Sequence, residues 1–396
     1  MKSKRLWVAA FLAAVGVLLL ASVAFAGPAL TLEEQLGKLL FFDQNLSLNG
    51  DQSCASCHAP EVGWTGPTSE VNAHEVVYEG SISGAFGDRK PPSSAYATQS
   101  PIFHMDKKGL FLGGNFWDGR ATGEKLGNPA ADQAQGPFLN PKEQALAAPV
   151  DVVTKVCAGG YANLFKQVWG ADICDPAKVD EAYNAIGRSI ATYEGSPEVN
   201  AFTSKYDQSF RGKVKLTKLE QKGLALFQGK GKCKLCHLSG KNALFTDFTF
   251  DNLGIPMNPE NPVYDYNPTF IDPGLGGFLA SREEYEEYAE ENMGMHKVPT
   301  LRNVDLRPYP EFLKAYGHNG YFKSLWGIVH FYNTRDVLPA CPGDYTEAQA
   351  LAADCWPAPE VAENVNTAEL GDLGLTYAEE QAIVAFLKTL SDGDKP

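Results

Sequence analysis

Two copies of the pattern Cys-x-x-Cys-His stand 179 residues apart in the sequence. Two thiols at this spacing can add across the two vinyl groups of one porphyrin, and the adjacent imidazole then reaches the iron from the same side. The patterns therefore predict two covalently attached c-type haems. The thiols belong to Cys54, Cys57, Cys233 and Cys236, and the proximal imidazoles to His58 and His237. Zinc half-sites or redox dithiols are the alternative for residues of these types.

The opposite face of each iron needs a ligand of its own or an open position. Five other histidines and, beyond residue 26, four methionines could supply one. They are His74, His104, His296, His318, His330, Met105, Met257, Met293 and Met295. The residue types alone leave this choice open.

The first 26 residues have the form of a secretory signal. Lys2, Lys4 and Arg5 precede an apolar run from Leu6 to Ala21, and a small-residue cleavage pattern follows at 24–26. An uncleaved anchor is the alternative, but the run is short for a membrane span. We therefore expect an exported, periplasmic protein whose mature part does not enter the membrane.

The four remaining cysteines form two pairs that are close in sequence. Cys157 and Cys174 make one pair, and Cys341 and Cys355 make the other. Outside the cytoplasm such pairs oxidise, so we predict two disulfides, with reduced and buried thiols as the alternative.

The charge of the chain restricts its partners. Removal of the three signal cations from the net charge of −14 leaves −17. So acidic a protein is a poor ligand for nucleic acid or for anionic lipid. The acidic residues are spread along the chain, and they serve either solubility or the attraction of a basic protein.

The hydrophobic pattern predicts a mainly α-helical protein with long loops. Similar segments, Leu36–Phe42 and Lys222–Phe227, precede the two haem motifs and indicate a duplicated unit, with a boundary near residues 203–216. Helical periodicity occurs in Leu32–Phe41, Val150–Trp169, Val179–Tyr193, Leu219–Phe227, Leu325–Tyr332 and Ala378–Leu390.

Several further strings, together with the first haem motif, resemble bacterial dihaem cytochrome c peroxidases and their MauG-type relatives, in order and over nearly the whole mature chain. They are Leu36–Asp43, Leu46-Ser47, Ser53–His58, Phe116–Arg120, Gln133-Ala134, Gly136-Pro137, Asn140–Glu143, Asn252–Gly254 and Lys297–Val304. The resemblance implies two cytochrome c-like domains, which we place at 27–204 and 205–396. The first would hold a peroxide-reacting haem (haem 1) and the second an electron-transfer haem (haem 2).

Three residues match the reactive positions of the family. Glu143 matches the distal acid/base carboxylate, Gln133 its hydrogen-bonding companion, and Trp117 the aromatic residue between the haems. A carboxylate suits the first role on chemical grounds, because cleavage of peroxide needs a group that takes a proton from one oxygen and returns it to the other.

The second axial ligand of haem 2 separates the subtypes. Peroxidases of the family place a Met fourteen residues after the His of a His-Asp-Gly turn, and MauG-type relatives place a Tyr. Here the turn begins at His318, and the counted position is Tyr332. A phenolate ligand predicts a low-potential haem 2, because it stabilises ferric over ferrous iron. A packed aromatic Tyr332, with His330, Met293 or Met295 as the ligand, is the alternative.

Two other positions bear on activation and on calcium. His74 lies sixteen residues after His58, where some family members place a blocking haem 1 ligand. Its sequence surroundings favour a solvent-facing His74 and an open haem 1. Where the family has a calcium-binding Asn, this chain has Lys90, and an ammonium cannot bind calcium. Calcium therefore stays an open alternative, and the competing hypothesis is that the Lys90 ammonium occupies the site and donates to its carbonyls.

Three functions are consistent with the sequence. The first is a peroxidase that reduces hydrogen peroxide with electrons from a small periplasmic cytochrome c or cupredoxin. The second is a MauG-type oxidase that uses peroxide to oxidise Trp or Tyr side chains of a partner protein. The third is a non-catalytic dihaem electron carrier, which would not need Glu143 and Gln133. The resemblance also makes a homodimer an open expectation.

Overall fold

The computed structural model describes residues 29–393, so the predicted signal at 1–26 lies outside the described residues. The fold is mainly helical, as expected, and its strands are two residues long. The helices are α1 (Leu32–Phe41), α2 (Ser69–Ala73), α3 (Pro129–Leu139), α4 (Pro149–Ala158), α5 (Ala162–Trp169), α6 (Val179–Glu194), α7 (Lys205–Phe210), α8 (Lys218–Gln228), α9 (Val263–Tyr266), α10 (Gly274–Leu279), α11 (Leu325–Thr334), α12 (Glu347–Ala352) and α13 (Tyr377–Lys388). Antiparallel pairs join β1 (His104–Met105) to β2 (Phe111–Leu112) and β3 (Phe250–Asp251) to β4 (His296–Lys297).

One predicted helix is wrong in its extent. The periodic segment Val150–Trp169 forms two helices, α4 and α5, which are separated at Gly159 and Gly160. Gly159 adopts an extended backbone, and two adjacent glycines make continuation of a helix costly. The other five predicted helices are present, with ends that differ by a few residues.

The helices α1 and α6 pack unusually closely in the first half of the chain. A capping box at Thr31 and Glu34 begins α1. A Cβ atom on Gly37 would lie only 1.9 Å from the carbonyl oxygen of Ser189, so glycine is needed at this crossing. Around the crossing lies a hydrophobic core whose buried residues run from Leu36 to Val199.

The second half repeats this arrangement with α8 and α13. A capping box at Thr217 and Glu220 begins α8. A Cβ atom on Gly223 would lie 1.8 Å from the carbonyl oxygen of Ala382. Gly223 therefore allows the same close helix crossing as Gly37 in α1, and this repeat supports the predicted duplication. The core around it runs from Tyr206 to Leu390. The domain boundary at 204/205 stays a prediction.

Both predicted disulfides are confirmed. Cys157 is bonded to Cys174, which ties the end of α4 to the segment before α6. Cys341 is bonded to Cys355 on either side of α12. Between residues 29 and 393, no helix is both long and apolar enough to cross a membrane.

Candidate active site

Each Cys-x-x-Cys-His motif forms a short 3-10 turn, at Cys54–Ser56 and at Cys233–Leu235. The amide of His58 donates to the carbonyl of Cys54 at 3.0 Å, and the amide of His237 donates to the carbonyl of Cys233 at 2.9 Å. The two thiols of each turn are outside disulfides. Burial raises the pKa of Cys233 to about 12, so this thiol is protonated at neutral pH before any reaction.

The two motif histidines are held in the same way. Nδ1 of His58 lies 3.2 Å from the carbonyl oxygen of Trp64, and Nδ1 of His237 lies 2.8 Å from that of Phe245. Both acceptor residues have a left-handed backbone, with φ of 61° at Trp64 and 55° at Phe245. Donation from Nδ1 leaves Nε2 free to bind iron, and the carbonyl fixes the ring orientation. Burial lowers the pKa of His58 to about 4, so the ring is neutral and able to bind a metal.

A continuous cavity contacts both haem motifs. An adjoining small pocket is lined by Cys54, His58, Gln133 and Glu143. The motif residues and the cavity fit two haems, because the residues of each motif line a largely apolar space and each histidine has Nε2 available for iron. Among the residues that line the main cavity are Cys57, His58, Trp117, Gln133, Glu143, Cys233, Cys236, His237 and Tyr332.

Glu143 lies on the cavity wall in a loop after α3. Its Oε2 accepts a hydrogen bond of 2.7 Å from the side-chain amide of Asn140. Burial raises the pKa of Glu143, although the Asn140 hydrogen bond and the charge of Arg120 oppose the shift. Gln133 lines the same cavity, while the hydrogen bond to the carboxylate comes from Asn140. Sequence reasoning did not assign a role to Asn140, although it stands three residues before Glu143 in a matching string.

Trp117 is buried between segments from both halves of the chain. Its indole N–H donates to the carbonyl of Lys90 at 2.8 Å. Its own carbonyl accepts a hydrogen bond of 2.7 Å from the amide of Lys297. These contacts fix the ring at the wall of the cavity that contacts both haem motifs.

Tyr332 lies on α11, and its side chain faces the cavity near the second motif. Burial raises the pKa of its phenol, and the neighbouring Cys236 and Cys233 add to the shift. The three alternative ligands predicted from the sequence are not among the described residues that line the cavity. Nδ1 of His330 is 2.9 Å from Oε1 of Glu380, and Met293 and Met295 pack around α10.

His74 lies on the surface. Its side chain is 55% exposed, and its ring nitrogens lie 3.7 Å from Glu70 and 3.3 Å from Glu260. It is not among the described residues that line the cavity.

Two buried lysines lie where the halves of the chain meet. Nζ of Lys90 donates to the hydroxyl of Thr65 at 2.9 Å and to the carbonyl of Pro91 at 3.0 Å. Nζ of Lys314 donates to three carbonyls, those of Val62, Asn303 and Leu306, at 2.6 to 3.2 Å. Sequence reasoning missed Lys314, because its acceptors are backbone atoms from distant segments and leave no mark in the sequence.

The chain is similar to known dihaem proteins. Residues 32–215 match the family described as di-haem cytochrome c peroxidase. Methylamine utilization protein MauG of Paracoccus denitrificans is 35% identical over 365 residues, which cover 90% of this chain and 88% of that protein. The chain belongs to the family of MauG and the dihaem cytochrome c peroxidases.

Other members agree with this assignment. Cytochrome-c peroxidase IdrP2 of Pseudomonas sp. (strain SCT) is 28% identical, over 90% of this chain and 80% of its own length. The crystal structure of the diheme peroxidase BthA from Burkholderia thailandensis E264 has a TM-score of 0.75 at 29% identity, and covers 91% of this chain and 86% of BthA. Membership of the family makes this protein a peroxide-using haem oxidoreductase.

Proposed function

We propose that the protein acts in the periplasm with two covalently bound haems, whose irons His58 and His237 would ligate. A bound haem supplies the iron at which hydrogen peroxide is reduced and through which electrons pass. The proposal rests on the two Cys-x-x-Cys-His turns, whose thiols are outside disulfides and whose histidines line one cavity. The pyridine haemochrome assay on the purified protein tests it. Two haems per chain are expected, and one or none would refute it.

The chain itself contributes a proton-transfer group to this reaction. Glu143 accepts a proton from one oxygen of hydrogen peroxide and returns it to the other oxygen as that oxygen leaves as water. Asn140 holds the carboxylate at the cavity wall through its 2.7 Å hydrogen bond. Gln133 lines the cavity near it and orients water or peroxide there. Trp117 carries electrons between the two haems.

The first candidate function is a peroxidase that reduces hydrogen peroxide with electrons from a protein donor. We propose the oxidase mode as the second candidate, in which peroxide is used to oxidise Trp or Tyr side chains of a partner protein. The observation that favours it is Tyr332, which faces the cavity next to the second haem motif. As an axial ligand, its phenolate would hold haem 2 in the ferric state at ordinary potentials. His74 is exposed, so haem 1 would be open without reductive activation.

Stopped-flow addition of hydrogen peroxide to the fully ferric protein separates the two modes. A rapid spectral change without prior reduction supports the oxidase mode, whereas a reaction only after reduction of haem 2 supports the donor-dependent peroxidase. Tyr332→Phe should alter the haem 2 spectrum. Tyr321→Phe is the matched control, because Tyr321 is buried in the same half but donates to the carbonyl of Tyr345. An unchanged spectrum in Tyr332→Phe excludes this ligand.

We further propose that the protein partner presents an acidic face to the second haem motif. Residues 213–241 contain eight lysines and a single acidic residue, Glu220. Lys234 and Lys241 are exposed, and between them lies Leu238, which is 54% exposed. Positive charge around an exposed apolar residue attracts an acidic protein and increases its association rate.

Steady-state turnover with an acidic cupredoxin and with a basic cytochrome c as donors tests this docking face. Lys234→Glu should slow the acidic donor severalfold at low salt, and the effect should shrink as salt rises. Lys108→Glu is the control, because Lys108 is an exposed lysine in the β1–β2 loop. Equal rates for Lys234→Glu and the unchanged protein would contradict the proposal.

We also propose that lysines take the place of calcium between the two halves. Lys90 was the expected residue, and Lys314 adds a second ammonium that donates to three carbonyls. Ammonium groups in these positions satisfy carbonyl oxygens that would otherwise suit a hard cation. A metal analysis that finds no calcium in the purified protein supports this, and calcium bound beside residue 90 would refute it.

A further inference from the structure

Two buried histidines and two buried carboxylates, none of them in a haem motif, meet on the wall of the main cavity. Asp272 lies before α10, His296 begins β4, His318 lies in the turn before Gly320, and Glu360 comes from the C-terminal loop. Their side chains are 3%, 10%, 6% and 6% exposed, respectively. One ligand atom each from Asp272, His296 and His318 lies within 4.8 Å of the other two. We call these four residues the histidine–carboxylate cluster.

The geometry of the cluster places nitrogen lone pairs against carboxylate oxygens. The rings of His296 and His318 are parallel, with centroids 3.6 Å apart and planes at 11°. Nε2 of His296 is 3.2 Å from Oδ2 of Asp272, and Nε2 of His318 is 3.5 Å from Oε2 of Glu360. Among the described residues, both Nε2 atoms are buried without a hydrogen-bond partner.

The protonation of His296 makes this arrangement unfavourable without a cation. Its Nδ1 lies 3.0 Å from the carbonyl oxygen of Gly294, which can only accept, so the ring proton is on Nδ1. Burial and the neighbouring His318 lower the pKa of His296 to about 4, and the ring is therefore neutral at neutral pH. Its Nε2 lone pair then faces an ionised carboxylate. A cation between them converts this repulsion into two bonds.

The surrounding charges also favour a cation. Arg89 pairs with Asp272 at 2.6 and 2.7 Å and with Asp118 at 2.5 Å, so one guanidinium serves two carboxylates. Arg120 lies on the far side of Asp118, at 2.7 Å. Glu360 accepts hydrogen bonds from the hydroxyl of Tyr264 and the amide of Asp272, both uncharged donors. Among these side chains, three carboxylates outnumber two guanidinium groups by one. Burial lowers the pKa of the nearby Lys297 to about 7, so its amine adds less than a full positive charge.

We propose that the histidine–carboxylate cluster binds one divalent transition-metal cation, with Zn²⁺ as the type of ion that suits it. Two imidazoles and two carboxylates are a donor set for borderline cations. Binding to a single ion requires the two stacked rings to rotate apart, so that both lone pairs point to it. Oδ2 of Asp272 is shared with Arg89, which orients it.

The cluster is connected to Trp117 through backbone hydrogen bonds. His296 is followed by Lys297, whose amide donates to the carbonyl of Trp117. The carbonyl of His318 accepts from the amide of Lys90, whose own carbonyl holds the Trp117 indole. A divalent ion here would place positive charge beside both backbone segments that hydrogen-bond to Trp117. A haem propionate is the competing occupant, but it would bring a further negative charge to a cluster that already has an excess.

The test uses the purified dihaem protein after dialysis against EDTA. Zn²⁺ is added, loosely bound ions are removed by desalting, and metals other than haem iron are counted by mass spectrometry. We expect one zinc ion per chain in the unchanged protein and at least a tenfold loss of affinity in His296→Phe, which keeps the stacked ring but removes the nitrogen ligand. Glu360→Gln gives a second measurement if His296→Phe loses haem. His104→Ala is the control, because His104 is exposed and lies outside the cluster.

The outcomes separate the two occupants. Loss of zinc in both cluster variants, with two haems and an unchanged Soret band, supports the metal site. Failure of the unchanged protein to retain zinc overturns it. Equal zinc binding in His296→Phe and the unchanged protein also overturns it. So does a shifted Soret band in His296→Phe at undiminished zinc, because the histidine then contacts a haem propionate.

Discussion

A buried ion pair gives the sharpest stability prediction. Arg302 and Asp207 have side chains that are 0% and 2% exposed, and two hydrogen bonds of 2.9 and 3.0 Å join them. Nε of Arg302 donates to the carbonyl of Ala243 at 2.6 Å, and the guanidinium stacks 4.3 Å from the centroid of the Phe202 ring. The pair thus connects α7 with the segments that precede and follow the second haem motif.

Asp207→Asn should destabilise the protein strongly. The substitution keeps the size of the side chain but leaves the Arg302 guanidinium buried without a counter-charge. Breaking a buried pair in this way costs about 3–5 kcal/mol, which is on the order of a hundredfold or more in the unfolding equilibrium constant. Denaturant unfolding followed by circular dichroism, with haem content measured in parallel, gives the free energy of unfolding.

The controls isolate the effect of burial. Asp172 pairs with Lys178 on the surface, where the two side chains are 68% and 33% exposed, so Asp172→Asn should change the free energy by less than about 1 kcal/mol. The double variant Asp207→Leu with Arg302→Met removes both charges and should recover much of the loss. An Asp207→Asn protein within about 1 kcal/mol of the unchanged protein would show that this reasoning is wrong.

The same pair has a defined pH dependence. Burial alone would raise the pKa of Asp207, but the hydrogen bonds from Arg302 and Ser204 outweigh it and the pKa is lowered. An acid with a lowered folded-state pKa contributes stability that is present above the unfolded pKa of about 4 and is lost as the pH falls through the folded value. The difference between the unchanged protein and Asp207→Asn should therefore shrink in acid.

Three further predictions concern catalysis, helix packing and crosslinking. Glu143→Gln should lower the rate of peroxide reduction about 10²- to 10⁴-fold in a steady-state assay. Because burial raises the pKa of Glu143, the unchanged enzyme should lose activity as the pH falls through a value above the usual 4.5, and the variant should lack this limb. Gly223→Ala should lower the free energy of unfolding by about 1–3 kcal/mol, since its Cβ would meet a carbonyl at 1.8 Å, whereas Gly343→Ala, in open space, should have little effect. Replacing Cys341 and Cys355 with Ser opens a loop of 14 residues and should cost about 3 kcal/mol in thermal or denaturant unfolding; equal stability would argue that the loop is already restricted without the bond.

The sequence was most informative where chemistry depends on local spacing. The haem motifs, both disulfides and helix α11 with Tyr332 on its surface follow from short-range patterns. The sequence analysis missed the break between α4 and α5, because the apolar periodicity continues across Gly159. Only the backbone conformation at this glycine interrupts the helix.

The remaining site features depend on contacts between distant segments. His296 and His318 are 22 residues apart in the sequence, and their ring stacking depends on how the loops cross. The hydrogen bonds of Lys314 end on backbone carbonyls, which every residue possesses. Neither feature has a residue pattern that could be read before the fold was available.

The repeated glycine crossing has a consequence for maturation of the protein. Each half closes its own pair of helices, α1 on α6 and α8 on α13, without a helix from the other half. The N-terminal pair ends at Glu194, before the second Cys-x-x-Cys-His sequence begins at Cys233. Porphyrin ligation to the two halves can then proceed in succession, so that a lesion in the later half would leave singly loaded chains rather than empty ones.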